Sequence, residues 1–296
     1  MIEKFGVLFE KSFKEYKENF ETFLVILVIL SLIPSLFMYL FSYNFGSYMQ
    51  VLNEDSPFEQ INEHIMNYPY LIPLIILVII VSLLSCWLAT TLIYYSLNAS
   101  KNKKLSIIDS LQGGAKNFFK YLGMMILFGL ILFLFLIPLF ILFAFLYYGN
   151  NTYLMFYFIF VAVLYVILFI PFIMFIVYWI FAPYFLIDQK KSIIDSIRAS
   201  KQLVENYWFE TLAYLIFILV ITIVISIPFS LFLKGIKYFI DYIFILGLIE
   251  LILNFLISII TYPLITLFIK NLYLEMKNEK DKKIDSKSRK KKKKNE

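Results

Sequence analysis

The chain has 296 residues, of which 61% are hydrophobic and 20% aromatic, and its mean hydropathy is +0.81. Charged residues make up 16%, against about 25% in an ordinary soluble domain, which excludes a single water-soluble globule. The net charge of +6 comes mostly from the last twenty residues and does not mark a nucleic-acid-binding face, while a lone Cys86 excludes an intramolecular disulfide.

In chain order, the N-terminal stretch GVLFEKSFKEYKENFETFL reads as an amphipathic helix leading into a first apolar run, Phe23–Phe41. That run follows some twenty charged and amphipathic residues and lacks a small-residue cleavage site. It therefore reads as a retained span rather than a signal peptide. The segment Ser42–Pro69 carries Glu54, Asp55, Glu59, Glu63 and the single histidine, His64, without lysine or arginine. Further apolar runs follow at Tyr70–Tyr95, Tyr121–Tyr148, Tyr153–Ile187, Phe209–Leu233 and Phe244–Ile269. Each approaches or exceeds the roughly 20 residues that cross a bilayer as a helix. The fourth run is expected to tilt or kink at Pro171 and to end in the interface near Pro183. The expected fold is all-α: a polytopic bundle of about six transmembrane helices.

Lysine and arginine set the orientation. Of 27 basic residues, only Lys234 and Lys237 fall on the side of Ser42–Pro69 and Gly149–Thr152. Both termini are therefore expected in the cytoplasm, in a cell membrane.

The phrase SIIDS occurs at Ser106–Ser110 and again 86 residues on, at Ser192–Ser196. Asn19, Asn117 and Asn206 stand just before a span, and Ile33–Pro34, Ile137–Pro138 and Ile227–Pro228 recur within the odd-numbered spans. This spacing predicts three pseudo-repeats, about 1–98, 99–187 and 188–276, each an amphipathic cytosolic interface helix plus a transmembrane hairpin. The asparagines are expected to mark corners. Residues 277–296 are expected to form a disordered lysine-rich cytoplasmic tail, able to attract anionic lipid. Within SIIDS, Ser106 with Asp109, and Ser192 with Asp195, have capping-box spacing: the serine oxygen accepts the N–H three residues on, and the acid reaches back.

Glu250, in GLIELILNFLI, is the candidate intramembrane polar site, with Asn254 one turn later on the same face. It could bind a cation or carry a proton. Its alternatives are a bond to Asn254 or a pairing with Lys234 or Lys237. His64 with Glu59 and Glu63 makes a poor metal site, lacking CxxC, HExxH or a second histidine, and reads as a loop. Gly113–Gly114 is too sparse for a phosphate loop. No catalytic motif or cofactor fingerprint is found.

The stretch FAPYFLIDQKKSIIDSIRASKQLVENYW, Phe181–Trp208, resembles a recurrent phrase in prokaryotic six-helix membrane proteins. Those include the membrane domain attached to some glycerophosphoryl diester phosphodiesterases. The shared features are Ala182–Pro183 near a helix end, Asp188 in a short loop, and a Ser/Lys-rich amphipathic helix ending near Asn206. The resemblance covers Met1–Met276 and implies architecture alone. In that group phosphodiesterase activity belongs to a separate soluble domain. No stretch here, with one histidine, is expected to supply such a domain, and no catalytic residue carries over. Two functions follow as expectations. The first is a non-enzymatic membrane protein that organises anionic lipid or a protein partner. The alternative is a transporter or channel-like component for a small solute or ion, with Glu250 in its path.

Overall fold

A computed structural model describes residues 4–40, 71–101, 105–148, 154–236 and 243–295, and every element among them is a helix. In order these are α1 (Phe5–Glu18), α2 (Phe20–Leu40), α3 (Leu71–Ala99), α4 (Ile107–Tyr148), α5 (Leu154–Trp179), α6 (Ala182–Asp188), α7 (Ile193–Val204), α8 (Trp208–Ile236) and α9 (Ile243–Asn295). Among the described residues, six stretches are long and apolar enough to cross a membrane: Phe20–Leu40, Ile75–Ala99, Ile107–Ile137, Ile167–Asp188, Trp208–Ile236 and Phe244–Lys282. The six apolar runs of the sequence thus become six helices. Such runs have no water to satisfy their backbone polar groups, and a helix satisfies them internally. Their outward residues, such as Leu219, Val224 and Leu231 of α8, form an exposed apolar surface suited to lipid. His64 with Glu59 and Glu63, the loop Gly149–Thr152, and Lys237 lie outside the described residues.

The breaks between helices differ from expectation in instructive ways. Asn117 makes no corner: its amide donates to the Gly113 carbonyl at 2.9 Å, and α4 runs through it for 42 residues. The amphipathic stretch after Ser106 is therefore a straight extension of the third span. Asn19 and Asn206 do stand in turns, before α2 and before α8. Pro171 lies inside an unbroken α5, and Pro228 inside an unbroken α8. The break comes at residues 180–181, with Pro183 in the first turn of α6, where its missing N–H leaves no helical bond unmade. In α2 the turn Val28–Leu32 widens to a π-helix just before Pro34, which has no N–H to donate to Leu30. α9 continues as helix into the lysine-rich segment, as far as Asn295, where a disordered tail was expected from 277 on. Lysine is a good helix former, and α9 is already nucleated by its span.

The chain divides into two compact units: Met1–Phe118 with Leu215–Glu275, and Phe119–Tyr214 with Met276–Glu296. In the first, α1 and α2 run antiparallel to α9. Phe5 packs on Phe268 at 5.2 Å between ring centroids, while at the other end the Tyr39 hydroxyl donates to the Phe244 carbonyl at 2.6 Å. Tyr16, Phe23, Ile26 and Leu27 bury themselves with Leu88, Leu92 and Tyr95 of α3 and Ile259 and Leu267 of α9. The Tyr95 ring meets Phe23 edge-on, and its hydroxyl donates to Asn19 Oδ1 at 2.6 Å. Trp87 donates from Nε1 to the Leu111 carbonyl at 3.1 Å, bringing the start of α4 against α3. That contact gives Gly113–Gly114 a structural role. A Cβ on Gly113 would fall 2.0 Å from the Tyr94 ring, and one on Gly114 would fall 2.1 Å from Thr91 Oγ1 and 2.9 Å from Thr91 Cα.

In the second unit, α7 repairs the break between α5 and α6. Ser200 donates to the Tyr178 carbonyl at 2.6 Å and accepts the Phe181 N–H at 3.2 Å, so the groups freed by the break are satisfied. Ser196, Ala199, Ser200, Leu203 and Val204 are buried. The less polar side of α7 thus faces protein, and Ile194 stays exposed on the other side. Asp188, at the end of α6, pairs with Lys277 of α9 at 2.8 Å.

Gly114→Ala is expected to cost about 1–3 kcal/mol, because its methyl group meets backbone as well as side chain. Gly6→Ala, where nothing lies within 4 Å, is the control. Unfolding midpoints of the detergent-solubilised chain measure both, and the Gly6 variant should not fall.

Candidate functional site

Along α9, residues Gly247, Glu250, Leu251, Asn254, Phe255 and Ser258 recur at helical spacing and share one face. Along α2, Ser31, Leu32, Ser35, Met38 and Tyr39 do the same. Within the first unit these faces, with Val81 of α3, line an open-sided cavity of about 420 Å³, in which Glu250 and Asn254 are exposed. Glu250 is six residues into the span that begins at Phe244. It therefore lies about 9 Å along the axis from that end of the candidate span.

Local geometry explains the opening. Tyr39 lies against Gly247, where a Cβ would be 2.4 Å from the ring, so glycine is what admits the tyrosine. The π-turn of α2 carries Ser31, with Ser35 four residues later on the same side. The Ser258 hydroxyl donates to the Asn254 carbonyl at 2.7 Å within its own helix. It therefore turns an acceptor oxygen, rather than a donor, to any occupant.

The electrostatics are one-sided. Among the described residues, the lining holds one carboxylate and no lysine, arginine or histidine. Among the described residues, the Glu250 side chain has no hydrogen bond or ion pair; neither Asn254 nor Lys234 is bonded to it. Glu250 and Asn254, paired by sequence spacing, thus come together on the cavity wall without bonding each other. No group of three metal-ligating acids, cysteines or histidines occurs among the described residues.

The cap residues are elsewhere and do helix-start work. Asp109 N–H donates to Ser106 Oγ at 3.1 Å, and Ser106 N–H donates back to Asp109 Oδ2 at 3.3 Å. In the second copy Asp195 N–H donates to Ser192 Oγ at 3.2 Å, and the Ser192 hydroxyl donates to Asp195 Oδ2 at 2.6 Å. None of the four lines the cavity.

Sequence reasoning missed Ser31, Ser35, Tyr39 and Ser258. Ser258 was findable, since Glu250, Asn254 and Ser258 follow one another at steps of four. It also missed a second polar cluster at the opposite end of the first unit. Lys270 of α9, fully buried, is paired with Glu15 of α1. Next to it Asn271 Nδ2 donates to Ser12 Oγ at 3.0 Å, and Ser12 donates to the Leu8 carbonyl at 2.7 Å. Asn271 Oδ1 is buried without a hydrogen-bond partner among the described residues.

No family model matches the chain, and neither a curated protein nor a solved structure matches it.

The two acid positions should behave oppositely on mutation. Glu15→Gln leaves the Lys270 charge buried and unpaired and should cost about 3–5 kcal/mol. Glu250→Gln removes a carboxylate that makes no bond, and should leave the thermal unfolding midpoint in detergent unchanged.

Proposed function

We propose that the protein is a multi-pass protein of the cell membrane, with both termini cytoplasmic, that binds a small solute or ion beside Glu250 and passes it across the bilayer. It acts by binding, without covalent chemistry. The observation that carries this reading is the unbonded Glu250 carboxylate on the wall of a 420 Å³ cavity at span depth. A carboxylate inside a span is costly unless it has a task, and ionisable groups in spans mark solute and proton paths. Two further features support it. The π-turn beside Ser31 is a local irregularity of the kind found at functional sites. The first span can shift its register there at lower cost than in a regular helix. The three-unit repeat, and the resemblance to the phosphodiesterase-linked membrane domains, belong with this proposal. The matching caps at Ser106 and Ser192 support the repeat.

A second reading, organisation of anionic lipid or a partner at the cytoplasmic face, is favoured by one local observation. On the second unit Ile194 and Phe209 are 65% and 78% exposed, and the exposed Arg198 and Lys201 lie between them in sequence. Apolar residues beside basic ones suit an anionic membrane surface.

In proteoliposomes, a panel of labelled ions and small solutes should reveal flux through the wild-type protein, falling at least about tenfold in Glu250→Gln. No flux across the panel, or flux indifferent to Glu250, counts against transport. In vesicle flotation, Phe209→Ser with Arg198→Gln and Lys201→Gln should weaken association of the detergent-depleted protein with anionic, but not neutral, vesicles. Unchanged association removes the second reading. Labelling engineered cysteines in a Cys86→Ala background reads the orientation.

A further inference from the structure

We infer that the occupant of the Glu250 cavity is a small organic monocation, a protonated amine or quaternary ammonium with an apolar body. This rests on the cavity being a solute site and names the class of solute.

Charge comes first. Among the described residues the lining has one acid and no base, so Glu250 balances one positive charge and not a second. An anion meets only repulsion from Glu250. Hydrogen-bonding character points the same way. The Ser258 hydroxyl is donated to the Asn254 carbonyl, and the Tyr39 hydroxyl to the Phe244 carbonyl. The hydrogens of both hydroxyls are thereby committed to backbone. The Glu250 carboxylate and the Asn254 side-chain oxygen add acceptors for the N–H groups of an amine, while the Asn254 amide nitrogen and the Ser31 and Ser35 hydroxyls remain able to donate.

Size and wall chemistry separate an organic cation from a bare ion. A cavity of about 420 Å³ falls in the range of small-molecule sites. A dehydrated inorganic cation needs oxygen ligands on several sides. Here the lining also holds Leu32, Met38, Val81, Leu251 and Phe255, which cannot replace a hydration shell. The same residues gain by covering an apolar body, and Met38 adapts to its shape. Tyr39 and Phe255 add aromatic rings, and ring faces attract organic ammonium groups. Ser31 and Ser35 supply hydroxyls on the α2 side.

The test uses the full chain in detergent and isothermal titration with benzylammonium, neutral benzyl alcohol, sodium and potassium. Benzylammonium should bind saturably, one per chain, and benzyl alcohol at least about 30-fold more weakly, since the charge is what Glu250 recognises. Excess sodium or potassium should not displace it. Glu250→Gln should abolish binding with the unfolding midpoint unchanged. Val81→Phe, which fills the apolar side and leaves the acid, should weaken benzylammonium at least about tenfold. Sodium, potassium or proton binding that depends on Glu250, without benzylammonium binding, overturns the organic-cation inference and leaves the solute site standing. Benzylammonium binding unchanged in Glu250→Gln overturns the inference as well. No Glu250-dependent binding of any probe overturns both.

Discussion

The pairing of Lys270 with Glu15 sets the register on which the first unit depends. Packing between long apolar helices is nearly indifferent to sliding, because one isoleucine contact resembles the next and lipid is as apolar as the helix surface. A charge buried midway along α9 is not indifferent. Slipping by one turn, about 5.4 Å, would leave the lysine unpaired in a site where water cannot reach it. Ser12 and Asn271 repeat the constraint one residue on, and Asn19 with Tyr95 brings α3 into the same frame. Such a pair contributes little net stability against an apolar replacement. Its value here is directional: it decides which residues of α2 face which residues of α9.

The consequence appears some twenty residues away. With Glu15 opposite Lys270, antiparallel helices necessarily bring the thirties of α2 opposite the residues around 250 of α9. Tyr39 closes this end, its ring admitted by Gly247 and its hydroxyl on the Phe244 carbonyl. Ser31 and Ser35 then face the stripe that holds Glu250, Asn254 and Ser258. Both ends of the pairing of α1 and α2 with α9 are thus held by directional polar contacts, Glu15 with Lys270 at one and Tyr39 with the Phe244 carbonyl at the other.

Much of this was legible in the chain and some was not, for physical reasons. Six spans are readable from hydropathy alone, since that signal is local and each run is long. Glu250 and Asn254 stand out because a polar group in such a run is costly unless it is bonded or has a task. What hydropathy cannot supply is partnership. Nothing local says that Ser31 faces Glu250, or that Lys270, read as one more cytoplasmic basic residue, is wholly buried. The helix breaks fail for a related reason. Pro171 and Pro228 look like kinks but are carried within continuous helices, because a transmembrane helix tolerates a missing bond when its surroundings adjust. The break at residues 180–181 depends on Ser200, 19 residues after Phe181, arriving to satisfy the exposed groups. Likewise SIIDS begins a helix in both copies, yet α4 continues straight into its span, while α7 ends at a turn through Asn206.

The π-turn joins these threads. In α2 the proline is accommodated by a wider turn, whereas α8 keeps its α-helical pattern through Pro228. The irregular turn is also the one that carries a cavity residue, Ser31. The register contacts of Glu15, Ser12 and Asn19 precede it, and Ser35, Met38 and Tyr39 follow it. Tyr39 is tied to α9 in turn through the Phe244 carbonyl. The π-turn thus lies between two anchored ends of the α1–α2 pair, and the α2 wall that faces Glu250 begins at it.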